Sequence, residues 1–341
     1  MPLTIKKINI ILIFLLFTSI SLCEINVYSH RHYDGDKKLF KQFTEETGIK
    51  VNVIKGSADQ LIQRLQSEGS NSPADVLLTV DAGRLVKAKE LGLLTPISSE
   101  ELENNVPKSM RDAESYWFGL SVRARVIVFA KDRVSENELS TYEDLTNPKW
   151  KGRLVIRSSN NIYNQSLVAS LIKNNGKKAT EAWAEGVVSN MARTPKGNDR
   201  AQIMAVAAGE ADIAVANTYY LALMLSGKKG AEQQEAAKKV KPFFPNQDGR
   251  GTHMNISCAG LVKGAPNKSN AIKLVEFLLS KEAQEHIVNN TFEYPMIAGV
   301  SPHELVVNMG LDFKQDLTTK VVNYGKNQAA AVTAMTGAGW K

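Results

Sequence analysis

Residues 24–80 read EINVYSHRHYDGDKKLFKQFTEETGIKVNVIKGSADQLIQRLQSEGSNSPADVLLTV. Ile25 to Tyr28 is a short apolar run with strand character. Leu39, Phe40 and Phe43 then recur at helical spacing, and Gly48 supplies a C-terminal stop. Ile49 to Ile54 is β-branched and alternates, which predicts a second strand. Ser57 and Gln60 stand at capping-box spacing ahead of Leu61, Ile62 and Leu65. Gly69 to Pro73 reads as a loop. Val76 to Val80 is nearly all apolar, as expected of a strand buried on both faces. A further helix follows to Gly92. Strand and helix alternating three times predict a parallel sheet covered by helices, an α/β fold.

Outward from this stretch the pattern changes after Trp117. Gly119 to Lys131 is a long strand-like segment, and a second α/β unit follows. Leu154 to Arg157 reads as a strand, with helices over about Asn160 to Asn174 and Lys177 to Met191. Asn198 caps a helix ending near Gly209, and Asp212 to Ala216 is a strand that leads into another helix. Residues 227–241 read as an exposed helix. Asn255 to Lys263 is strand-like and able to cross back to the first sheet. Asn270 to His286 reads as one amphipathic helix, and the last forty residues read as helices. Two α/β units joined by two extended segments predict a hinged, two-lobed molecule with a cleft between the lobes.

The 341 residues are enough for two domains, and the composition is that of a folded protein, with 43% apolar and 23% charged residues. Lys6 and Lys7 precede the apolar stretch Ile8 to Phe17, which small residues follow down to Cys23. That is the pattern of a cleavable secretory signal peptide, and it is too short for a comfortable membrane span. Lipidation at Cys23 is the less favoured alternative, because Leu22 is bulky where a lipid-attachment site wants a small residue. The expected location is the periplasm. Without Lys6 and Lys7 the formal charge of +7 falls to +5. The basic residues form no run with interleaved aromatics, so nucleic acid is not an expected partner. Cys258 is then the one remaining cysteine, expected to be a buried small hydrophobe. The fold therefore rests on its cores without an internal disulfide.

Four of the nine tyrosines have unusual addresses. Tyr33 lies between the first strand and first helix. Tyr163, in Ser158-Ser-Asn-Asn-Ile-Tyr163, lies between a strand and its helix. Tyr219 and Tyr220 follow a strand and open the next helix. All four fall where ligands bind in open α/β sheets, at helix starts whose partial positive charge favours a phenolate. Phenolate oxygen is a hard donor that suits a hard, highly charged ion, and ferric iron fits best; zinc would draw on Cys and His, and calcium on a carboxylate loop. Four phenolates on a trivalent ion leave one net negative charge, for which Arg123 is the candidate cation. His32 could supply a fifth donor. Arg123 and Arg125 share a strand face, where surface salt bridges are the bland expectation. No Ser/His/Asp spacing, His-Glu-x-x-His run or phosphate loop points to an enzyme.

Several segments, weak singly, are specific in combination: Tyr28-Ser-His-Arg-His-Tyr33, Pro73-Ala-Asp-Val76, Trp117-Phe-Gly-Leu-Ser-Val-Arg-Ala-Arg-Val126, Asn147-Pro-Lys-Trp-Lys-Gly-Arg-Leu154, Gly209-Glu-Ala-Asp-Ile-Ala-Val-Ala-Asn-Thr-Tyr-Tyr220 and Gly260-Leu-Val-Lys-Gly-Ala-Pro-Asn267. From Ile25 to about Gly310 the chain resembles the periplasmic ferric-iron-binding proteins of ABC importers, especially the cyanobacterial FutA-type group. The resemblance implies a type II periplasmic-binding-protein fold: two α/β lobes, joined by crossing hinge strands, with the ligand cleft between them. The expected boundaries are a signal peptide over 1–23, a first lobe built from 24–121 and 251–303, and a second lobe from 122–250 with C-terminal helices over 304–341. By position, Tyr33, Tyr163, Tyr219 and Tyr220 match the family's phenolate ligands, and His32 matches a histidine that ligates in some members only. Two departures stand out. Cys258 occupies a position where glycine is expected, and Met224 offers no charge near the metal, so compensation falls on Arg123. A monomer carrying Fe(3+) to an inner-membrane ABC permease is implied. The other readings are a same-fold binder of a polyamine, thiamine or phosphonate, and a protein working mainly with Fe(2+), where His32 would matter more.

Overall fold

The computed structural model describes residues 23–31 and 33–341. The expected signal peptide therefore falls, apart from Cys23, outside the described residues, and so does His32. Among the described residues, no helix is long and apolar enough to cross a membrane.

The first unit follows its sequence pattern closely. Strand β1 (Glu24–Ser29) leads to helix α1 (Gly35–Thr47), which ends at Gly48 with φ 72° and its N–H on the Thr44 carbonyl. Next come β2 (Lys50–Lys55) and α2 (Ala58–Glu68). The capping box forms: the Ser57 hydroxyl accepts from the Gln60 N–H, and the Gln60 side chain accepts from the Ser57 N–H. Strand β3 (Val76–Thr79), α3 (Ala82–Glu90), the short β4 (Leu94–Thr95) and α4 (Glu100–Asn105) complete this part. β1 lies between β2 and β3, parallel to both.

Strand β5 (Trp117–Ala130) is buried along its whole length and joins the two halves of the sheet. Its first part, Trp117 to Ala124, pairs antiparallel with β9 (Met254–Val262), which in turn pairs antiparallel with β3. Its second part, Arg125 to Phe129, pairs with β7 (Ile213–Asn217). The order across the sheet is β2-β1-β3-β9-β5-β7-β6, the last being Leu154–Val155. The register shifts between Gly119 and Ser121, where the backbone is too crowded for a side chain: a Cβ on Gly119 would lie 2.8 Å from the Met110 carbonyl oxygen.

The second half contains β6 (Leu154–Val155), α5 (Ile162–Asn175), α6 (Lys177–Asn190), α7 (Asp199–Ala207) and α8 (Thr218–Leu225). Here β6 and β7 are parallel neighbours. The expected strand Leu154 to Arg157 stops at Val155, since Arg157 turns toward the tyrosines. Only part of 227–241 is helical, as α9 (Ala231–Lys238). It is followed by an unexpected strand, β8 (Val240–Phe243), which pairs with the end of β5. Pro242 is tolerated because β8 lies off the main strand order.

The single helix expected over Asn270 to His286 is two, α10 (Lys268–Leu278) and α11 (Lys281–Thr291). Ser280 breaks the run by capping α11, its hydroxyl accepting from the Ala283 N–H. After β10 (Tyr294–Pro295), which pairs with β5, the tail carries three short helices, α12 (Glu304–Val307), α13 (Val322–Lys326) and α14 (Gln328–Gly337), and is otherwise irregular. Helix α13 packs against both α3 and α5. Cys258 is fully buried beside Thr79, as a small core residue. Both faces of β5 and β9 are buried, and each buried aliphatic or aromatic side chain contributes about 1.5–3 kcal/mol.

Candidate metal centre

The four tyrosines reach one place because three local turns deliver them. After β1 the chain doubles back through Arg31, whose guanidinium forks onto Asp36 in the first turn of α1 (3.0 and 2.9 Å). That fork also places the guanidinium 4.8 Å from the Tyr33 ring centre. Tyr163 is the second residue of α5; Asn161 caps this helix, and Asn164 closes the preceding turn by donating to the carbonyls of Arg157 and Ser158. Tyr219 and Tyr220 are the second and third residues of α8, directly after β7. Two phenols of the set thus sit in the first turn of α8 and one in that of α5, where helix partial charge favours an anion.

Tyr219 is the hub. Its hydroxyl donates to that of Tyr163 at 3.1 Å, its ring lies 4.2 Å from that of Tyr220, and the Tyr33 ring meets it edge-on at 6.2 Å. Tyr163, Tyr219 and Tyr220 are buried and Tyr33 is half-buried. The Tyr33 hydroxyl donates to Glu293 at 2.7 Å. Glu293 has no solvent exposure, accepts from Ser121 at 2.6 Å and pairs with Arg123 at 3.2 Å. Arg123 also donates to the Val80 carbonyl and to Ser257. Three guanidiniums, those of Arg123, Arg125 and Arg157, surround the Tyr163 ring at 5.7, 6.0 and 5.9 Å. Arg125 is held by Asp199 (3.1 Å), Asn217 (2.9 Å) and Asn164 (2.6 Å).

Burial raises the pKa of all four phenols above the ordinary value. The shift is large at Tyr33, where the Glu293 charge adds to it, and at Tyr219, where Tyr163 and Tyr220 add to it. Negative charge on Tyr220 likewise opposes ionisation of Tyr163, and the Asp199 carboxylate acts the same way on Tyr220. All four therefore keep their protons at neutral pH. A ligand that binds them as phenolates has to displace those protons, which takes a strongly polarising cation.

The structure brings together Tyr33, Tyr163, Tyr219, Tyr220 and Arg123, and His32 lies outside the described residues. It corrects one expectation of the sequence: Arg123 and Arg125 make no surface salt bridges, since both are 1% exposed and paired with buried carboxylates. Sequence reasoning missed Glu293, Asp199 and Arg157. Glu293 carries no local signal, being 260 residues from the phenol it binds. Asp199 follows the helix cap Asn198, which gave a reading for the helix and none for the side chain. Among the described residues, no group of three or more His, Cys, Asp or Glu could hold a metal, so a metal here would rely on the tyrosines.

Residues 71–327 match the family model of the bacterial extracellular solute-binding proteins. The chain belongs to that family. Its members bind solutes and are not enzymes. Among curated relatives of this solute-binding protein, iron uptake protein A1 of Synechocystis sp. (strain ATCC 27184 / PCC 6803 / Kazusa) is 54% identical over 318 residues, covering 93% of this chain and 88% of the relative. Among solved structures, Trichodesmium IdiA (FutA) in complex with iron and citrate ligands has a TM-score of 0.88 and 55% identity, over 93% of this chain and 100% of that one. The ferric binding protein from Campylobacter jejuni has a TM-score of 0.89 and 42% identity, over 93% and 100%. The expected mixed α/β periplasmic-binding-protein fold is thereby established.

Proposed function

We propose that this chain is the periplasmic solute-binding component of an iron(III) importer. It captures one ferric ion with the phenolates of Tyr33, Tyr163, Tyr219 and Tyr220 and delivers it to an inner-membrane ABC permease. The observation that carries this reading is the convergence of four phenols, three buried and one half-buried, from three separate helix starts, with Tyr163 and Tyr219 hydroxyl to hydroxyl at 3.1 Å. The names of its relatives, an iron uptake protein and ferric binding proteins, support it.

In this reading residues 24–121 and 251–303 form one lobe, 122–250 and 304–341 the other, and β5 and β9 are the hinge. Tyr33 comes from the first lobe and the other three from the second. The ion favours the closed form because only that form supplies all the donors together. His32 is positioned by sequence to add a fifth donor. The mature protein is a periplasmic monomer released by cleavage after Cys23. Release needs opening of the lobes, protonation of the phenolates, or reduction to the softer ferrous state, a poorer match for phenolate.

The test is the phenolate-to-iron charge-transfer band in visible absorption. Ferric iron should give this band at one equivalent, and Tyr219→Phe combined with Tyr220→Phe should diminish it and weaken binding by several orders of magnitude. A colourless protein, or unchanged affinity in the double variant, would leave the phenols as aromatic walls for an organic solute and refute the ferric assignment.

A further inference from the structure

Four arginines and three carboxylates surround the tyrosines. Arg31 is neutralised by Asp36, Arg123 by Glu293 and Arg125 by Asp199. Arg157 is left over. It reaches Asp199 only at 3.5 Å, and that carboxylate is already occupied by Arg125 at 3.1 Å and by the Asn217 N–H at 2.9 Å. The Arg157 guanidinium nevertheless faces the phenols: it lies 5.9 Å from the Tyr163 ring centre, and its charge favours ionisation of Tyr220. It is also the most exposed of the three around Tyr163, at 20% against 1% for Arg123 and Arg125.

We propose that Arg157 is a charge-balancing residue of the site, acting beside Arg123. Its one surplus positive charge matches the one net negative charge of a trivalent ion held by four phenolates. This inference rests on the ferric reading above. Arg123 also favours ionisation of Tyr33, Tyr163 and Tyr219, but its charge is partly offset by Glu293, its buried partner at 3.2 Å. Arg157 therefore acts through the phenolates and does not touch the ion; it is a positioning residue whose contribution is electrostatic.

The sign of its effect on redox state follows. Reduction adds one negative charge to the cluster, so a nearby cation stabilises the ferrous form more than the ferric and raises the reduction potential. One unit charge several ångströms away, at an effective dielectric near 20, changes binding by roughly 10- to 100-fold. The same interaction moves the one-electron potential by about 60–120 mV, at 59 mV per tenfold.

The experiment compares wild type, Arg157→Gln and Arg157→Lys as the full mature chain, titrated with ferric ion and followed by visible absorption and by redox titration of the loaded protein. Arg157→Gln should weaken ferric binding roughly 10- to 100-fold, lower the potential by about 60–120 mV and shift the charge-transfer band to longer wavelength, because the phenolate electrons lose a stabilising cation. Arg157→Lys should restore most of all three. An affinity loss shared by the Gln and Lys variants with an unmoved potential would mark a merely structural role and overturn the proposal, as would a Gln variant indistinguishable from wild type. A wild-type protein that gives no band at all takes the ferric reading down as well, so the two failures are distinguishable.

Discussion

Loading this site should expel protons, and the number can be counted. Burial holds all four phenols above their ordinary pKa of about 10, so the metal-free protein carries four phenolic protons at pH 7. Coordination by four phenolates removes them. The free protein then binds about four more protons than the loaded one, so raising the pH favours the loaded state. Linkage makes the logarithm of the affinity climb by about four for each pH unit. The window closes only where the phenols themselves begin to ionise, which lies above pH 10, so the slope should hold throughout pH 5–8 without a plateau. The assay is calorimetric titration with ferric ion delivered from a simple aminocarboxylate chelate, in buffers of different ionisation enthalpy, with the chelate's own protons subtracted. The expected count is near four, falling to near three in Tyr219→Phe. A count near zero, or one that the substitution leaves alone, refutes the idea that these phenols bind as anions.

Two further outcomes follow from the buried groups. Glu293→Gln keeps an acceptor for Tyr33 but strips Arg123 of its counter-charge, so the metal-free protein should lose about 3–5 kcal/mol in urea denaturation. Because the loaded site is anionic, iron should raise Tm more in this variant than in wild type; equal rises would show that Arg123 does not sense the site. Ser166 on α5 donates to Asp81, which precedes α3, a bond between the two proposed lobes. Ser166→Ala should remove about 2 kcal/mol from the closed form and speed iron release about tenfold or more, measured by chelator capture. A lowered denaturation midpoint with an unchanged release rate would place that contact in the open form too.

The parts of the fold that were legible in the sequence are those set by neighbours in the chain. The Ser57–Gln60 box, the left-handed Gly48 and the Asn198 cap each depend on a few adjacent residues, and each forms. The tyrosine addresses were legible for the same reason, since a strand end and a helix start are local patterns. The break at Ser280 was not, because Leu274, Leu278, Ala283 and Ile287 keep an apolar stripe running past it. Strand β8 was hidden by Lys241 and Pro242, which look unlike a strand until β5 supplies the partner. The same-face placement of Arg123 and Arg125 could be read off the alternation, but their burial could not, because it depends on Glu293 and Asp199 arriving from distant segments. For the same reason the surplus at Arg157 becomes visible only when every partner has been placed.

The pairing of β3 with β9 joins residues far apart in the chain, with Thr79 opposite Cys258. A polypeptide emerging from its amino end can make β1, β2 and β3 early, yet β3 has no neighbour on its other side until residue 262 has been synthesised. Closing so long a loop is entropically slow, so the first unit should mature late and a fragment ending near residue 121 should not be stable by itself. Such a delay leaves the nascent chain extended for most of its synthesis, the condition in which a polypeptide can be threaded through a narrow pore.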